Sequence, residues 1–417
     1  MRMSKKKEIV PKLRFPEFSK SYWGITRLNA LADKITERNK GDDISRVFTN
    51  SATEGVVDQE EYFDRDIANK NNLTNYFVVE KGDYVYNPRI STTAPVGPIS
   101  KNKLGIGVMS PLYTVFRFRN KENDFYEHFF LTNLWHAYIK NLSNTGARHD
   151  RITISVDNFM KMPLPYASPE EEQKIADCLS SIDELIDAES RKLKALEKYK
   201  KGLMQKLFPA EGKTLPEWRF PEFRGCGEWK YEEIGNIGEV ITGKTPSTSD
   251  AALWDGDIQF VTPTDITENK YQHYTQRTVV KTPKMKVLPK HTIMFTCIAS
   301  IGKMALSLYP CITNQQINSI ISKACYDNEF IYYSLLQKTP SIKSGFANST
   351  LPIINKTDFS KIQIPVILDK KEQQKIADCL SEIDTIITEQ SNKVEQLKAH
   401  KKGLMQGLFP SLEEADV

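Results

Sequence analysis

The residues best equipped for chemistry lie in polar segments without regular periodicity. Arg, Asn and Gln side chains can form paired hydrogen bonds with guanine or adenine edges, whereas Lys, Ser and Thr usually contact phosphates. Segments of this composition predict contacts with DNA, although for any single residue a solvated loop is the commoner role. The candidate DNA-binding residues are Arg89, Ser91, Thr92, Arg148, His149, Arg151, Lys244, Thr245, Ser247, Thr248, Lys303, Asn314, Gln315, Gln316, Asn348 and Ser349.

One string, Gly238–Thr245, matches the pattern of a phosphate-binding loop letter for letter. Such a loop needs a buried strand before it and a helix that begins at the Lys-Thr pair, so that backbone N–H groups can hold phosphate. Here Pro246–Asp250 has the composition of a turn, and Tyr231–Ile237 is too polar for a buried strand. We therefore expect a turn, with a stand-alone nucleotide hydrolase as an alternative.

A methyltransferase acting alone is a second alternative, and its motifs are incomplete. The nearest string to an Asn/Asp-Pro-Pro-aromatic motif is Tyr86–Arg89, which lacks the second proline and the aromatic residue. Gly105–Gly107 is a lone GxG, which is too short to indicate a cofactor loop. The six histidines form no evident triad, and no paired carboxylates have nuclease spacing. The sequence thus predicts no catalytic, cofactor-binding or metal site of its own.

The composition is typical of a globular protein with a mild basic excess. The chain has 417 residues, of which 40% are hydrophobic and 26% charged, enough for two or three domains. Its formal charge of +4 alone says little about nucleic acid. The six cysteines are scattered without a CxxC pair, and no apolar segment resembles a signal peptide core or a bilayer span. We therefore expect a cytoplasmic protein without zinc or disulfides.

The chain contains an internal repeat with a period of roughly 200 residues. Near the start of each copy, the string RFPEF is followed by a tryptophan, Trp23 or Trp229. Between the repeated segments the two copies hardly resemble each other, so each unit consists of a variable domain followed by a helix. The repeated segments are Arg14–Phe18 and Arg219–Phe223, Glu172–Asp183 and Gln373–Asp384, and Lys200–Pro209 and Lys401–Pro410.

Each unit ends in a long amphipathic helix with a heptad pattern. Apolar residues recur at alternating steps of four and three over about five heptads, which is typical of a coiled-coil seam. Polar residues fill the open positions: Glu189 and Lys200 in the first helix, Gln390 and Lys401 in the second. Two such helices favour antiparallel pairing with each other over packing only on their own domains. The predicted pairing residues are Ile175, Leu179, Ile182, Ile186, Leu193, Leu196, Ile376, Leu380, Ile383, Ile387, Val394 and Leu397.

The variable domains are predicted to mix strands with helices. Runs such as Asn75–Glu80 and Thr292–Thr296 indicate strands, whereas Tyr126–Ile139 and Glu329–Gln337 indicate helices. The predicted fold class is α/β, with two α/β domains joined by two long helices in an antiparallel coiled coil and an internal pseudo-twofold repeat. The predicted boundaries are 1–167 and 210–366 for the domains, 168–209 and 367–410 for the helices, and 411–417 for a tail.

This arrangement resembles the specificity subunit of Type I restriction-modification systems over nearly the entire chain. The second copy departs from the family pattern at Gln373, where Gln replaces Glu, which leaves its partner contact at that position open. The segments that carry the resemblance are Glu172–Leu179 with its copy Gln373–Leu380, the turn Gly243–Ser247, the element Thr313–Gln315, and Ser110–Tyr113.

The resemblance implies that the variable domains are target recognition domains, each reading one half of a bipartite, asymmetric DNA target. It implies that the helices dock two modification subunits, which hold S-adenosylmethionine and methylate adenine, while separate restriction subunits cleave double-stranded DNA. The chain itself would hold no cofactor. A helix of about 35 residues is roughly 50 Å long, so the helices would set the spacing between the half-sites. A coiled-coil scaffold without a DNA role and a fused restriction-methylation enzyme remain as alternatives.

Overall fold

The computed structural model describes residues 9–62, 73–142, 144–145, 150–283, 285–346 and 352–412. The chain divides into two compact units, Met1–Asp187 with Glu395–Val417, and Ala188–Val394. Each unit therefore contains one domain together with segments of both long helices. None of the described helices is both long and apolar enough to cross a membrane.

The described residues of the first domain and of the helix that follows it form twelve strands and six α-helices. Its elements are β1 (Gly24–Arg27), α1 (Leu28–Leu31), β2 (Ala32–Lys34), β3 (Val47–Ser51), β4 (Gly55–Asp58), α2 (Gln59–Tyr62), β5 (Phe77–Val79), β6 (Tyr84–Tyr86), β7 (Ile99–Lys101), β8 (Gly107–Met109), β9 (Thr114–Phe118), α3 (Asp124–Phe130), α4 (His136–Leu142), β10 (Asn144–Thr145), β11 (Ile152–Thr153), α5 (Val156–Met160), β12 (Pro163–Tyr166) and the long helix α6 (Pro169–Leu207).

The second domain and its helix repeat this plan with fewer elements. They are β13 (Lys230–Glu233), α7 (Ile234–Ile237), β14 (Gly238–Thr242), β15 (Trp254–Val261), β16 (Tyr271–Gln272), β17 (Arg277–Val279), β18 (Ile293–Thr296), β19 (Met304–Ser307), β20 (Cys311–Thr313), β21 (Ile317–Ser322), α8 (Asn328–Phe346), α9 (Lys356–Lys361), β22 (Gln363–Val366) and the long helix α10 (Lys370–Leu408).

The two domains share one sheet topology although their sequences differ. The order β2-β9-β6-β7 in the first domain corresponds to β14-β21-β18-β19 in the second, where β16 extends the sheet. A second sheet in each domain is built around a parallel pair, β3 with β8 and β15 with β20. The pairs β1–β12 and β13–β22 join the start of each domain to its end. The predicted α/β class and internal repeat are confirmed.

Two helix predictions need correction in their extent. The segment Tyr126–Ile139 is not one helix, because α3 and α4 are separated by a turn. Side chains take the carbonyls that would continue α3: Thr132 Oγ1 donates to Phe129 O at 2.7 Å, and Trp135 Nε1 donates to Phe130 O at 3.1 Å. In contrast, α8 runs well past Gln337 and includes Pro340, because its apolar face is buried in the core.

The core of the first unit includes both long helices. Phe409, directly after the end of α10, packs on Phe125 and Phe129 of α3, with ring centroids 5.0 and 5.7 Å apart. Ile175 and Leu179 from the first turns of α6 belong to the same apolar cluster. The domain therefore folds around the beginning of one helix and the end of the other.

The second unit repeats this arrangement with the equivalent residues. Phe208, directly after the end of α6, packs on Trp229 and on Phe330 of α8, with ring centroids 5.6 and 5.7 Å apart. Ile376 and Leu380 from the first turns of α10 lie in the same cluster. Because neither domain core is complete without the end of the other helix, helix pairing and domain folding are coupled.

Polar contacts fix the antiparallel direction of the helix pair. In the first unit, Lys401 Nζ bonds both carboxylate oxygens of Asp183, at 2.6 and 2.5 Å. The equivalent pair in the second unit joins Lys200 to Asp384. The buried amide of Gln390 also donates to the Glu189 carboxylate at 2.7 Å. The polar residues in the open heptad positions thus bond across the pair.

The twelve predicted pairing residues differ in burial, and their pairing across the two helices stays a prediction. Six are buried and the other six are half-buried, which is typical of a two-helix seam with one side toward solvent. The buried six are Ile175, Leu179, Ile376, Leu380, Ile383 and Val394, and the half-buried six are Ile182, Ile186, Leu193, Leu196, Ile387 and Leu397.

A buried ion pair joins the RFPEF segment of each repeat to the first turn of its long helix. Arg14 Nε and Nη2 donate to both carboxylate oxygens of Glu171, at 2.7 and 2.8 Å. Arg219 makes the same two bonds to Glu372, at 2.7 and 2.6 Å. Both glutamates are fully buried, and these bonds raise the pKa of each arginine. The repeated arginine thus holds the start of each domain against its helix.

We predict that Glu372→Ala lowers the free energy of unfolding by about 3–5 kcal/mol, because it leaves the buried Arg219 guanidinium unpaired. The matched control is Glu395→Ala, which removes an exposed pair with Lys398 and should cost no more than about 1 kcal/mol. Equilibrium denaturant unfolding measures both. Equal small losses of stability in the two variants would contradict the proposed importance of the buried pair.

Candidate nucleic-acid interface

The first domain brings two predicted DNA-binding segments together. Arg89, in the loop after β6, forms an antiparallel bridge with Arg151. Two backbone bonds flank the bridge: Ile90 N donates to Asp150 O and Ile152 N donates to Pro88 O, both at 2.9 Å. Residues far apart in sequence thus place two guanidinium-bearing side chains at one exposed edge.

Among the residues that the structure describes, the charges at this edge are only weakly compensated. Arg89 and Arg151 are both exposed, and Arg151 Nε lies 4.0 Å from Asp150 Oδ2, which is a long ion pair. Two neighbouring exposed guanidinium groups form a positive site suited to phosphate or to a guanine edge.

A serine turn follows the first arginine. Ser91 Oγ accepts from Ala94 N at 3.0 Å and bonds Thr93 Oγ1 at 3.1 Å, and Thr92 is exposed at the tip. Ser91 therefore shapes the loop, while Thr92 is free to face a ligand. The predicted residues Arg148 and His149 lie outside the described residues.

Sequence reasoning missed two residues that support this loop. Asn87 Oδ1 accepts from Arg89 N at 3.0 Å, and its amide donates to Asn50 O at 2.9 Å. Gly97 has a φ of +79° and approaches Asn87 so closely that a Cβ would lie 1.9 Å from its carbonyl oxygen. The Asn-Pro string before Arg89 was a usable turn signal, since such dipeptides favour turns.

In the second domain, the Gly243–Ser247 loop packs directly on the Thr313–Gln316 loop. Gly243 N donates to Ile317 O at 3.1 Å, and a Cβ at Gly243 would lie 2.2 Å from Asn314 O and 2.3 Å from Thr313 O. Only glycine allows this approach. It places Lys244 and Thr245 beside the amide side chains of the second loop.

The amide side chains in this cluster have different roles. Asn314 and Gln316 bond each other, with Asn314 Nδ2 donating to Gln316 Oε1 at 3.0 Å, and they stabilise the turn. Gln315 is exposed, and its Oε1 accepts from Thr245 Oγ1 at 2.6 Å. The Thr245–Gln315 hydrogen bond therefore joins the two loops and orients the exposed side-chain amide of Gln315.

The remaining predicted residues of the second domain join the same edge or adjoin it. Cys297 N donates to Gln316 O at 2.8 Å, and this bond holds the loop between β18 and β19 against the Thr313–Gln316 loop. The β18–β19 loop ends at the exposed Lys303. Ser247 bonds Ser249, and Thr248 between them is exposed. Asn348 and Ser349 lie outside the described residues. That these side chains contact DNA stays a prediction.

The string that matches a phosphate-binding loop has a different structure. Gly238–Thr242 is a strand, and an irregular loop follows that leads into a short 3-10 turn at Ala251–Leu253. No helix begins at Lys244 or Thr245 to direct its N-terminal amides at phosphate. Among the described residues, no group of three or more His, Cys, Asp and Glu side chains could hold a metal ion.

The comparisons with known proteins agree with this architecture. The family model described as "Type I restriction modification DNA specificity domain" matches the chain twice, at residues 32–198 and 227–398. The chain belongs to this family. The two matches correspond to the two copies of the internal repeat, each including one variable domain and most of one long helix.

Individual relatives carry the same type of name. The Type I restriction enzyme MjaIX specificity subunit of Methanocaldococcus jannaschii is 33% identical over 194 residues, which covers 45% of this chain and 45% of that relative, less than half its length. The MjaVIII specificity subunit of the same organism is 26% identical and covers 72% of each chain. A solved S subunit from M. genitalium has a TM-score of 0.60 at 14% identity, covering 97% of this chain and 100% of that one, which shows a shared fold.

We predict that Gly243→Ala separates the two loops of the second domain. Its Cβ would overlap the carbonyls of Thr313 and Asn314, so stability should fall by about 1–3 kcal/mol and DNA binding through this domain should weaken. Gly225→Ala is the control, because no atom lies within 4 Å of that Cβ position, and it should change stability by no more than about 0.5 kcal/mol. Wild-type stability and DNA affinity in Gly243→Ala would contradict the loop-packing argument.

Removing the two bridge arginines tests the first domain. In the complex that binds DNA, Arg89→Ala with Arg151→Ala should weaken binding, and the log–log salt dependence should drop by roughly 0.9 for each phosphate that is no longer neutralised. Arg119→Ala, whose exposed guanidinium is paired with Asp33, serves as the control. The measurement is DNA affinity over a salt series; an unchanged affinity and slope would exclude both arginines from the interface.

Proposed function

We propose that this chain is the DNA sequence-recognition subunit of a Type I restriction-modification complex. Each domain would act as a target recognition domain for one half of a bipartite, asymmetric DNA site. Neither domain needs a catalytic group for this role, and the chemistry would belong to partner subunits.

The strongest support for the proposal comes from a backbone bridge that occurs at equivalent places in the two domains. The bridge Arg89–Arg151 in the first domain has a counterpart, Ile298–Ile353, at the corresponding place in the second. Each bridge joins the loop after the equivalent strand, β6 or β18, to the segment before α5 or α9. The equivalent bridge positions thus carry different side chains, arginines in the first domain and isoleucines in the second. Such a pair is suited to reading two different sequences.

The long helices support the proposed spacing role. Each has 39 residues, which corresponds to roughly 58 Å at 1.5 Å per residue. Polar contacts across the pair, such as Asp183–Lys401, specify a single register, because a shifted helix would leave these charges unpaired. A fixed register would give a fixed gap between the two half-sites.

The proposed partners follow from the internal repeat, in which each copy combines one domain with one long helix. Two modification subunits would dock on the helices, hold S-adenosylmethionine and methylate adenine, and restriction subunits would join them to cleave double-stranded DNA. Because the frame occurs twice, two copies of one partner can bind in equivalent ways. A chain with a net charge of only +4 would share its DNA affinity with such partners. We expect the complex to act in the cytoplasm.

Two other functions make different predictions for the purified chain. A nucleotide hydrolase or a methyltransferase acting alone would bind its cofactor without partners, but the loop after Gly243 does not open a helix. A coiled-coil scaffold would show no salt-dependent DNA binding, and it would give no reason for two domains with one topology and different exposed loops.

A domain exchange tests the proposed division of labour. Gly24–Tyr166, from β1 to β12, would be replaced by the equivalent segment of a family member that recognises another target. We expect one half of the methylated motif to change while the other half and the gap stay the same. The matched control exchanges Lys230–Val366, which should change only the opposite half. A change in both halves after either exchange would contradict the proposal.

A further inference from the structure

The second domain has a single arginine in its sequence. Between Lys230 and Val366 the only arginine is Arg277, the first residue of β17, whereas the first domain carries several. Arginine makes the commonest specific contact with guanine, by donating two hydrogen bonds to O6 and N7 in the major groove. If the second domain reads a guanine through a guanidinium group of its own, Arg277 must supply that group.

The sheet topology places Arg277 at the same edge as the candidate DNA-binding loops of this domain. β15 and β20 are parallel, with Phe260 beside Ile312, so they end together. β17 is antiparallel to β15 and begins where β15 ends, because Arg277 pairs with Phe260. Adjacent strands lie about 4.8 Å apart, so the backbone of Arg277 lies roughly 10 Å from that of Ile312, just before the Thr313–Gln316 loop.

Hydrogen bonds fix the segment that leads into Arg277. Gln276 N donates to Asp265 Oδ1 at 2.9 Å, and Thr262 N donates to Asp265 Oδ2 at 2.8 Å. One carboxylate thus joins the loop after β15 to the residue before Arg277. The position of the Arg277 backbone at this edge is therefore well defined.

A buried tryptophan holds the side chain of Arg277. The guanidinium carbon Cζ lies 3.4 Å from the centroid of the Trp254 ring. The ring itself is fixed, because Trp254 Nε1 donates to Ser247 O at 3.0 Å and the ring packs edge-on against Phe260 at 5.3 Å. Stacking on an aromatic face restricts a guanidinium and leaves the N–H groups at its edge available to a planar acceptor.

The N–H groups of Arg277 have no other use within the described part of the chain. Arg277 is exposed, and among the described residues its side chain forms no hydrogen bond or ion pair. Arg219, by comparison, bonds both carboxylate oxygens of Glu372 and is buried. The exposed amide of Gln315, a side chain suited to adenine, lies at the same edge. An oriented and unpaired guanidinium beside such an amide is suited to reading a base.

We infer that Arg277 reads a guanine in the half-site recognised by the second domain, by donating hydrogen bonds to O6 and N7. Trp254 is a positioning residue that orients the guanidinium. The inference rests on the proposed function and deepens it, because it names one base and the residue that recognises it.

The test uses the full chain together with its modification subunit. The methylated motif is mapped first, and the half that changes on exchange of Lys230–Val366 should contain a guanine. Each guanine of that half is then replaced in turn in target DNA. Arg277→Ala and Arg277→Lys should each lose roughly 5- to 150-fold of the wild-type preference for guanine at one position. Lysine keeps the charge but lacks the planar fork, so Arg277→Lys separates base reading from simple attraction.

Base analogues identify the atoms that are read. 7-Deazaguanine lacks the N7 acceptor, whereas inosine keeps both N7 and O6. At the position read by Arg277, the wild-type complex should bind 7-deazaguanine DNA more weakly and inosine DNA normally, and Arg277→Lys should not distinguish 7-deazaguanine from guanine. Trp254→Phe, which loses the bond to Ser247, should weaken the preference for guanine in part. A merely structural Arg277 would affect thermal unfolding without changing the base preference.

The matched control is Arg224→Ala, which removes another exposed arginine of the same unit, in the segment before β13. It should keep the wild-type motif and the wild-type response to both analogues. A second half-site without guanine would overturn the inference, and so would an unchanged guanine preference in Arg277→Ala and Arg277→Lys. In both cases the proposed function would stand, because the wild-type complex still yields a split motif. If that complex yields no motif, the proposed function fails, and the inference fails with it.

Discussion

Each repeat depends on a buried arginine–glutamate pair at the start of its long helix. Arg14 with Glu171 and Arg219 with Glu372 join the segment before the first strand to the helix that begins after the last strand. Each domain is thereby closed on its own helix, and the aromatic residue at the end of the other helix completes its core. Desolvation offsets much of the attraction in a buried ion pair, but a glutamate or arginine left buried without its partner is strongly destabilising, so an arrangement that separates the two is disfavoured. The pair thus specifies where a domain sits on the helix.

This constraint separates the parts of the chain that are fixed from the parts that vary. The ion pairs, the helix seam and the sheet order recur in both repeats, whereas the loops at the exposed edge differ in length and chemistry. The exposed edge of the first domain carries Arg89 and Arg151. The edge of the second domain carries Lys244 and the Gln315 amide, which is hydrogen-bonded to Thr245. Exposed loops that vary while the helices and sheets stay the same would allow DNA specificity to change without a change of fold. The frame also differs slightly, since Trp23 Nε1 donates to Glu171 at 3.0 Å but the buried Trp229 Nε1 has no partner among the described residues.

Much of the architecture could be predicted from the sequence, because duplication and heptad spacing are strong local signals. The bonds that Glu189, Lys200, Gln390 and Lys401 make across the helix pair were not predicted, although the sequence showed polar residues at these open heptad positions. The pairing of Arg14 with Glu171 was missed, although both residues recur in the second repeat, because a contact between distant segments has no local periodicity. The break between α3 and α4 was missed for another reason: it depends on side-chain bonds of Thr132 and Trp135 to specific carbonyls. Base contacts were beyond sequence reasoning, since they depend on loop geometry and on the DNA itself.

The central claim is that this chain supplies sequence specificity to a partner that supplies chemistry. The most direct test is to map adenine methylation across the genome of a methylation-free host that expresses this chain, its candidate modification subunit, or both. We expect a split, asymmetric methylated motif with a constant gap, which appears only when both proteins are present. Methylation by this chain alone, or a motif that is the same without it, would contradict the account.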